Sequence, residues 1–104
     1  MSVYNLSGQQ IGKVDVSGTV YRSDGTIAGY AVADGHILDS THKLIGNAVI
    51  LGDITNTNNH TIGTVLPSGE VRNIQKVVGR VLAAYMTVPV IGGAALLLLF
   101  NNKH

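Results

Sequence analysis

The sequence predicts a mainly β protein in which five 17-residue β-hairpin repeats form a flower-like closed arrangement, followed by a C-terminal apolar helix. Three observations support this prediction. The chain of 104 residues contains 13 glycines, its first 81 residues repeat at a fixed period, and residues 82–100 carry no charge. At this length we expect one domain and at most one appendage. The predicted division is a repeat body over residues 1–81 and a hydrophobic segment over residues 82–104.

An apolar residue and three glycine phases define the repeat. The five units begin at Val3, Val20, Ile37, Ile54 and Val71, and the fifth unit lacks one residue in its turn. The eleven glycines that precede the apolar segment fall on only three of the seventeen phases, which chance would not produce. By phase they are Gly8 and Gly25; Gly12, Gly29, Gly46, Gly63 and Gly79; and Gly18, Gly35, Gly52 and Gly69. We expect these eleven residues to have structural roles, most of them in turns.

Each unit has the composition of a β-hairpin. In the second unit, Ser23-Asp24-Gly25 forms a turn sequence between two β-rich stretches, and Ala33-Asp34-Gly35 follows the second of them. An Asp-Gly pair between strands is a hairpin signal. A lone hairpin is only marginally stable, so the five units must pack against one another.

The glycine inside the second strand of each unit leaves two interpretations open. In the first unit, Gly12 lies between the apolar residues Ile11 and Val14, whose spacing of three does not fit strict alternation. A β-bulge at the glycine would place both on one face. Alternatively, two backbones approach closely there and leave no room for a side chain.

The five copies of the pattern V-Y-x-x-x-G-x-x-I-G-x-V-x-x-x-G, seen from Val3 to about Leu82, resemble the five-fold β-flower proteins of bacteria. The resemblance implies five hairpin units around a pseudo-fivefold axis, and it implies no catalytic residues. The fifth copy departs from the pattern because it lacks the first-turn glycine. A weaker resemblance is to the bactofilins, polymerising bacterial proteins with a parallel β-helix, through phrases such as Val49 to Ile54.

The apolar segment predicts a membrane anchor. Nineteen helical residues from Leu82 to Phe100 would rise about 28 Å, close to the ~30 Å of a hydrocarbon core. The residues of this membrane or assembly segment are Leu82, Ala83, Ala84, Pro89, Gly92, Gly93, Ala94, Ala95, Leu96 and Phe100. The cations Arg72, Lys76 and Arg80 precede the segment and mark its expected cytoplasmic flank. The body would then lie in the cytoplasm, with residues 101–104 across the membrane.

A second interpretation of the segment stays open. Thr87 to Ile91 is β-branched and could extend the last unit as a strand, with Gly92-Gly93 as a break. The apolar residues would then be buried between the subunits of a soluble cytoplasmic assembly.

Composition and spacing indicate no chemical site. The chain has no cysteine, which excludes disulfides and cysteine-based metal sites or nucleophiles. The histidines His36, His42, His60 and His104 lack the spacing of a metal pair, and the carboxylates lie mostly in or beside turns. Seven Lys and Arg against six Asp and Glu give no basic field, so we expect no nucleic-acid partner. We also expect no cofactor and no enzymatic activity.

These observations predict a non-catalytic, membrane-anchored scaffold or interaction module that forms a homo-oligomer. Two alternatives remain. The first is a self-assembling structural protein, forming a ring or a filament, whose apolar segment is buried between subunits. The second is a small-ligand-binding module with a pocket on the pseudo-axis. Tyr4, Tyr21 and Tyr30 could form an aromatic patch, although cross-strand packing explains them as well.

Overall fold

A computed structural model describes residues 1–100 as a β-barrel with a helix along its axis. The strands are β1 (Ser2–Asn5), β2 (Gln10–Val14), β3 (Thr19–Arg22), β4 (Ile27–Ala31), β5 (His36–Asp39), β6 (Leu44–Ala48), β7 (Asp53–Asn56), β8 (Thr61–Val65), β9 (Glu70–Asn73) and β10 (Val77–Leu82). The helix α1 (Val88–Ala95) continues into a π-helical turn, Leu96–Phe100. Together these two segments, residues 88–100, are called the tail below. The expectations for residues 101–104, including His104, lie outside the described part of the chain.

The ten strands close into one antiparallel sheet. Each strand pairs with its neighbours in the chain, and β1 closes the barrel by pairing with β10, for example through Tyr4 opposite Arg80. This confirms the predicted mainly β class and the closed arrangement of antiparallel strands. The parallel coils of the alternative fold do not occur among residues 1–100.

Every odd-numbered strand and the strand after it share the same irregularity. In the first pair, Val3 faces Gly12 but Tyr4 faces Gln10, so Ile11 is an extra residue in β2. The equivalent register shift occurs in β3–β4, β5–β6, β7–β8 and β9–β10. As a result Ile11 packs against the core, which also contains Val14. The spacing of three thus arises from a bulge, as one of the two interpretations predicts.

Small and branched side chains line the barrel interior. The odd-numbered strands contribute a ring of buried residues, which are Val3, Val20, Ile37, Ile54 and Val71. The even-numbered strands contribute a second ring, which is Val14, Ala31, Ala48, Val65 and Val81. Along each strand these residues alternate with residues that face outward. The side chains of both rings therefore point toward the barrel axis.

The predicted 19-residue helix is wrong, because the segment divides into three parts. Leu82 completes β10 and pairs with Ser2. Residues 83–87 form a loop, and α1 begins only after Thr87, whose hydroxyl accepts a hydrogen bond of 3.4 Å from the Val90 amide. Pro89 in the first turn suits a helix start because its nitrogen has no proton to leave unpaired. The alternative strand over residues 87–91 is also wrong.

Left-handed backbone explains several glycines but not all. Gly8 and Gly25 have φ of 85° and 88° in their turns, and the sibling turns place His42 (φ 70°) and Asn59 (φ 63°) in the same conformation. In these turns the amides of Thr41 and Asn58 donate to the side chains of Asp39 and Asn56, and the turn tolerates a side chain at this phase.

Candidate functional site

The barrel axis is filled by the chain's own tail. Five consecutive tail residues each lie against a glycine of a different even-numbered strand. Leu96 faces Gly29, Leu97 faces Gly12, Leu98 faces Gly79, Leu99 faces Gly63 and Phe100 faces Gly46. A Cβ added at Gly12 would lie 2.8 Å from a Leu97 methyl carbon, and one at Gly63 would lie 2.8 Å from a Leu99 methyl carbon. Each glycine is therefore a notch for one apolar side chain, and we call these five positions the glycine notches.

The π-helical winding fits the spacing of the notches. An α-helix advances about 100° per residue, because it has 3.6 residues per turn. Five notches evenly spaced around a closed barrel require about 72° from one side chain to the next. The i→i+5 pattern of a π-helix turns less per residue than an α-helix. The wider winding at Leu96–Phe100 thus brings consecutive side chains closer to the required spacing.

The notches also bring backbones close together, as the second interpretation of the glycines predicts. A Cβ at Gly12 would collide with the carbonyl oxygen of Tyr21 on β3, and one at Gly63 would collide with that of Arg72 on β9. Both proposed reasons for these glycines therefore apply at once. The bulge sits at the preceding residue, and the glycine itself allows the close approach.

Of the ten residues named for the predicted membrane segment, the structure buries five inside the barrel. Gly92, Gly93, Ala94, Ala95 and Leu96 are buried, whereas Ala84 in the loop is exposed. Tail residues make up seven of the eighteen buried apolar residues of the core, so they are a large part of it. Within residues 1–100, no helix has the length and apolar character needed to cross a membrane. The expected flank is dispersed, with Arg72 on β9, Lys76 in the following turn and Arg80 on β10.

The two ends of the barrel hold the exposed apolar side chains. We call the end formed by residues 15–18, 32–35, 49–52, 66–69 and 83–87 the connection end, and the end formed by residues 6–9, 23–26, 40–43, 57–60 and 74–76 the hairpin-turn end. The connection end and the strand ends beside it expose Val16, Val32, Val49, Ile50, Leu51, Leu82 and Tyr85. The hairpin-turn end and its adjoining strand ends expose Leu6, Ile27, Leu44 and Ile74. In residues 1–100, these are all the large apolar side chains that are exposed, so the outer wall has none.

Charge differs between the two ends. The connection end carries four carboxylates in or next to its turns and no lysine or arginine; they are Asp15, Asp34, Asp53 and Glu70. The hairpin-turn end carries three cations, which are Arg22, Lys43 and Lys76, together with Asp24 and Asp39 and two histidines. One end is thus apolar with an acidic rim, and the other is mixed with an excess of cations.

The cavities outside the axis lie at the surface. The connection end has a cavity of about 260 Å³ between the start of the chain and the loop before α1, lined by Tyr85 and Pro89 among others. A groove of about 480 Å³ runs along β10 past Glu70 and Arg80. A third cavity of about 230 Å³ lies on the outer wall beside Lys13 and Arg22. The predicted pocket on the axis is instead occupied by the tail.

Among residues 1–100, three aspartates accept a hydrogen bond from a hydroxyl group within their own turns. The hydroxyl of Thr41 donates to Asp39 at 2.7 Å, and the amides of Thr41 and Lys43 donate at 2.9 and 3.0 Å. The Thr41 hydroxyl, above all, holds the pKa of Asp39 below its usual value. Hydroxyls of Ser17 and Thr26 lower the pKa of Asp15 and Asp24 in the same way. The three hydroxyl groups favour the ionised form of their aspartates in the folded state. The aspartates therefore stabilise the fold only while they are ionised.

Acid is expected to destabilise the protein through these turns. A carboxyl whose folded pKa is depressed stabilises the fold above the unfolded value, about 3.9 for Asp, and this contribution is lost as pH falls through the folded value. The triple variant Asp15→Asn, Asp24→Asn, Asp39→Asn retains the acceptor oxygens but cannot ionise. Its urea midpoint is expected to fall less than that of the wild type between neutral pH and about pH 3. Equal losses for both proteins would contradict this account.

The described residues form no metal cluster, and comparison with known proteins gives no match. Among residues 1–100, no group of three His, Cys, Asp or Glu side chains lies close enough to hold a metal ion, and no polar side chain is buried. The chain matches no family model, no curated protein and no solved structure. The fold and the surfaces described above are therefore the basis for a functional proposal.

The sequence did not predict that exposed apolar side chains would gather at the two ends of the barrel. It also did not predict that the glycine notches would contact the tail. The signal for the notches was present, because Leu96 to Phe100 offers five large apolar residues in a row to five equivalent glycines. The signal for the connection end was the apolar run Val49-Ile50-Leu51, which lies in a turn and not in a strand.

Proposed function

We propose that this protein is a non-catalytic structural module that assembles with copies of itself, the connection end of one copy against the hairpin-turn end of the next. The observation that carries the proposal is the confinement of exposed large apolar side chains to the two ends. Leu51 is 84% exposed and Val16 is 94% exposed, which is unusual for apolar residues that lie together on one surface. Exposed apolar side chains that gather on one surface are typical of protein interfaces.

Charge favours head-to-tail contact over contact between two identical ends. Two connection ends would bring eight carboxylates together, since each has four. A hairpin-turn end instead offers Arg22, Lys43 and Lys76 to the acidic rim. Complementary charges of this kind steer association and suppress the wrong pairing.

The ends have adequate size for a weak specific interface. The molecule measures 30 × 29 × 28 Å. A disc of that width has an area of about 600 Å², so two ends in contact would bury roughly 1,200 Å², the lower limit for specific interfaces. Because the two surfaces lie at opposite ends of the barrel, successive copies stack along its axis, and repetition gives an open filament.

The proposal retains the five-unit β-flower arrangement. Five equivalent bulges and five glycine notches support units related by a pseudo-fivefold axis along the tail. The predicted membrane location stays a prediction. Since the tail is packed within its own barrel, it would have to leave the barrel to meet a bilayer.

Light scattering after size-exclusion chromatography tests the assembly. The mass of the wild type is expected to rise steadily with concentration above 10.9 kDa and to fall as salt is added. Leu51→Asp is expected to stay monomeric, because it places a charge among the exposed apolar side chains of the connection end. The matched control, Asn47→Asp, adds the same charge on the outer wall, where Asn47 faces Thr55, and should assemble like the wild type.

Two results would contradict the proposal. A wild type of 10.9 kDa at every concentration would exclude self-assembly. A mass that stops at twice this value would indicate a closed pair of identical ends and would exclude the head-to-tail arrangement.

A further inference from the structure

Aromatic and cationic side chains alternate on one half of the outer wall. The Arg80 guanidinium lies over the Tyr4 ring at 5.5 Å, and the Lys13 ammonium lies over the Tyr21 ring at 5.8 Å. In both cases the two residues face each other across neighbouring strands. Next to them, Tyr30 on β4 stacks with the His42 ring at 4.4 Å. The sheet from β10 through β4 thus presents three tyrosine rings with cations between them, and we call it the aromatic wall.

Within residues 1–100, the opposite half of the barrel lacks these tyrosine–cation pairs, and its cation Arg72 on β9 lies 3.4 Å from Glu70. The residues two repeat units after Tyr21 and Lys13 are Thr55 and Asn47, and they face each other across β6 and β7. The same backbone register therefore carries paired aromatic rings and cations on one side only. Since Asn47 and Thr55 occupy the equivalent positions, the fold itself does not require a lysine and a tyrosine there.

A cavity beside the aromatic wall has the chemistry of an anion site. It measures about 230 Å³ and is lined by Gln10, Gly12, Lys13, Arg22, Ser23 and Gly25. Two of these residues are cations, and none is a carboxylate. Nearby Asp24 is already engaged by the Thr26 hydroxyl at 2.6 Å. Within the described residues, Arg22 donates its hydrogen bonds through Nη1 alone, and a guanidinium has five N–H donors.

We propose that the aromatic wall binds single-stranded nucleic acid. Lys13 and Arg22 hold a backbone phosphate in the cavity, and Arg80 pairs with a neighbouring phosphate. As the two cations turn to the phosphates, the faces of Tyr21 and Tyr4 that they cover become free to stack on bases. On the wall the rings of Tyr4, Tyr21 and Tyr30 are half-buried. A sheet surface that combines accessible aromatic rings with cations is a common platform for single strands, because every base has a face that can stack.

For this proposal, the positions of the charged residues matter more than the net charge of the chain. The nearly balanced charge of the chain predicts no nucleic-acid partner, but its carboxylates lie at the two ends and in the turns. On the wall itself, Lys13 and Arg80 lie within two strands of each other. Three contacting cations, with Arg22, predict a shallow salt dependence, with a slope of about −2 in log K against log salt.

Fluorescence anisotropy with labelled oligothymidine and the full-length chain tests this proposal. Tyr21→Thr is expected to weaken binding about tenfold through the loss of one stacked base. Lys13→Asn is expected to weaken binding and to reduce the salt slope by about 0.7. Both changes install the residue found two units later at the same register, so the barrel should accommodate them. Thr55→Ala, on the opposite half, is the matched control and should bind like the wild type.

Other outcomes would overturn the proposal. No binding by the wild type is one. Binding that Tyr21→Thr leaves unchanged, or that heparin displaces as readily as oligothymidine does, would indicate general attraction to polyanions without base stacking. The monomeric Leu51→Asp variant should still bind, because Leu51 lies at the connection end and the cavity adjoins the hairpin-turn end. Arg22 takes part in both proposals, and this variant leaves Arg22 unchanged, so the assembly and this site can fail independently.

Discussion

Replacing Leu97 with Ala is expected to lower the free energy of unfolding by about 2–5 kcal/mol, the range for truncating a buried leucine. Leu97 is 4% exposed, and its methyl groups occupy the notch at Gly12. The backbone around the notch is fixed by pairing on both sides of β2, so the wall cannot collapse into the space. The free-energy cost of the cavity left by the missing side chain is therefore expected to appear in full. Urea unfolding followed by circular dichroism measures the loss.

The matched control makes the same change on the surface. Leu6 is 65% exposed in the first turn, and Leu6→Ala is expected to change stability by no more than about 0.5 kcal/mol. A tail that lay outside the barrel would make the two variants equivalent. Similar small losses for both would thus contradict the position of the tail.

Gly63→Ala is expected to destabilise the barrel by about 3 kcal/mol, at the upper end of the range for overpacking. The added methyl would lie 2.8 Å from a Leu99 methyl carbon and would also collide with the Arg72 carbonyl. The side chain can move but the carbonyl, which belongs to the sheet, cannot move without breaking strand pairing. Adding Leu99→Ala should therefore recover only part of the loss.

Gly8→Ala separates crowding from backbone strain. Gly8 has φ of 85° with no atom within 4 Å of an added methyl, so its substitution costs only the left-handed conformation, about 1–2 kcal/mol. The same conformation at His42 and Asn59 shows that the turn accepts side chains. If urea unfolding showed Gly8→Ala to be the more damaging variant, crowding at the notches would not be the reason for those glycines.

The β body was predictable from sequence because each unit carries its own local signals. Asp-Gly turns and alternating apolar residues specify hairpins, and the three glycine phases fix where the irregularities fall. The spacing of Ile11 and Val14 even indicated the bulge, although spacing alone could not show that Gly12 also faces a neighbouring carbonyl. That contact joins different hairpins, and it depends on how the sheet closes.

The tail could not be predicted for a physical reason. An uncharged run of nineteen residues satisfies the requirements of a bilayer and of a protein interior equally, since both are apolar. Thr87 and Pro89 were visible as a helix start, but they lie inside the run that hydropathy treats as continuous. The aromatic wall was even harder to predict from the sequence, because Tyr4 and Arg80 are 76 residues apart and meet only where the barrel closes.

Nuclear Overhauser contacts between the tail and the glycine notches would show whether the tail lies inside its own barrel. In a sample with labelled leucine methyl groups, the account predicts contacts from Leu97 to the α-protons of Gly12 and from Leu99 to those of Gly63. A mixture of labelled and unlabelled chains, observed with isotope filtering, should show no such contact between different molecules. Contacts that appear only between molecules would place the tail in a neighbouring barrel, and the absence of any contact would place it outside the barrel altogether; either result would contradict the account.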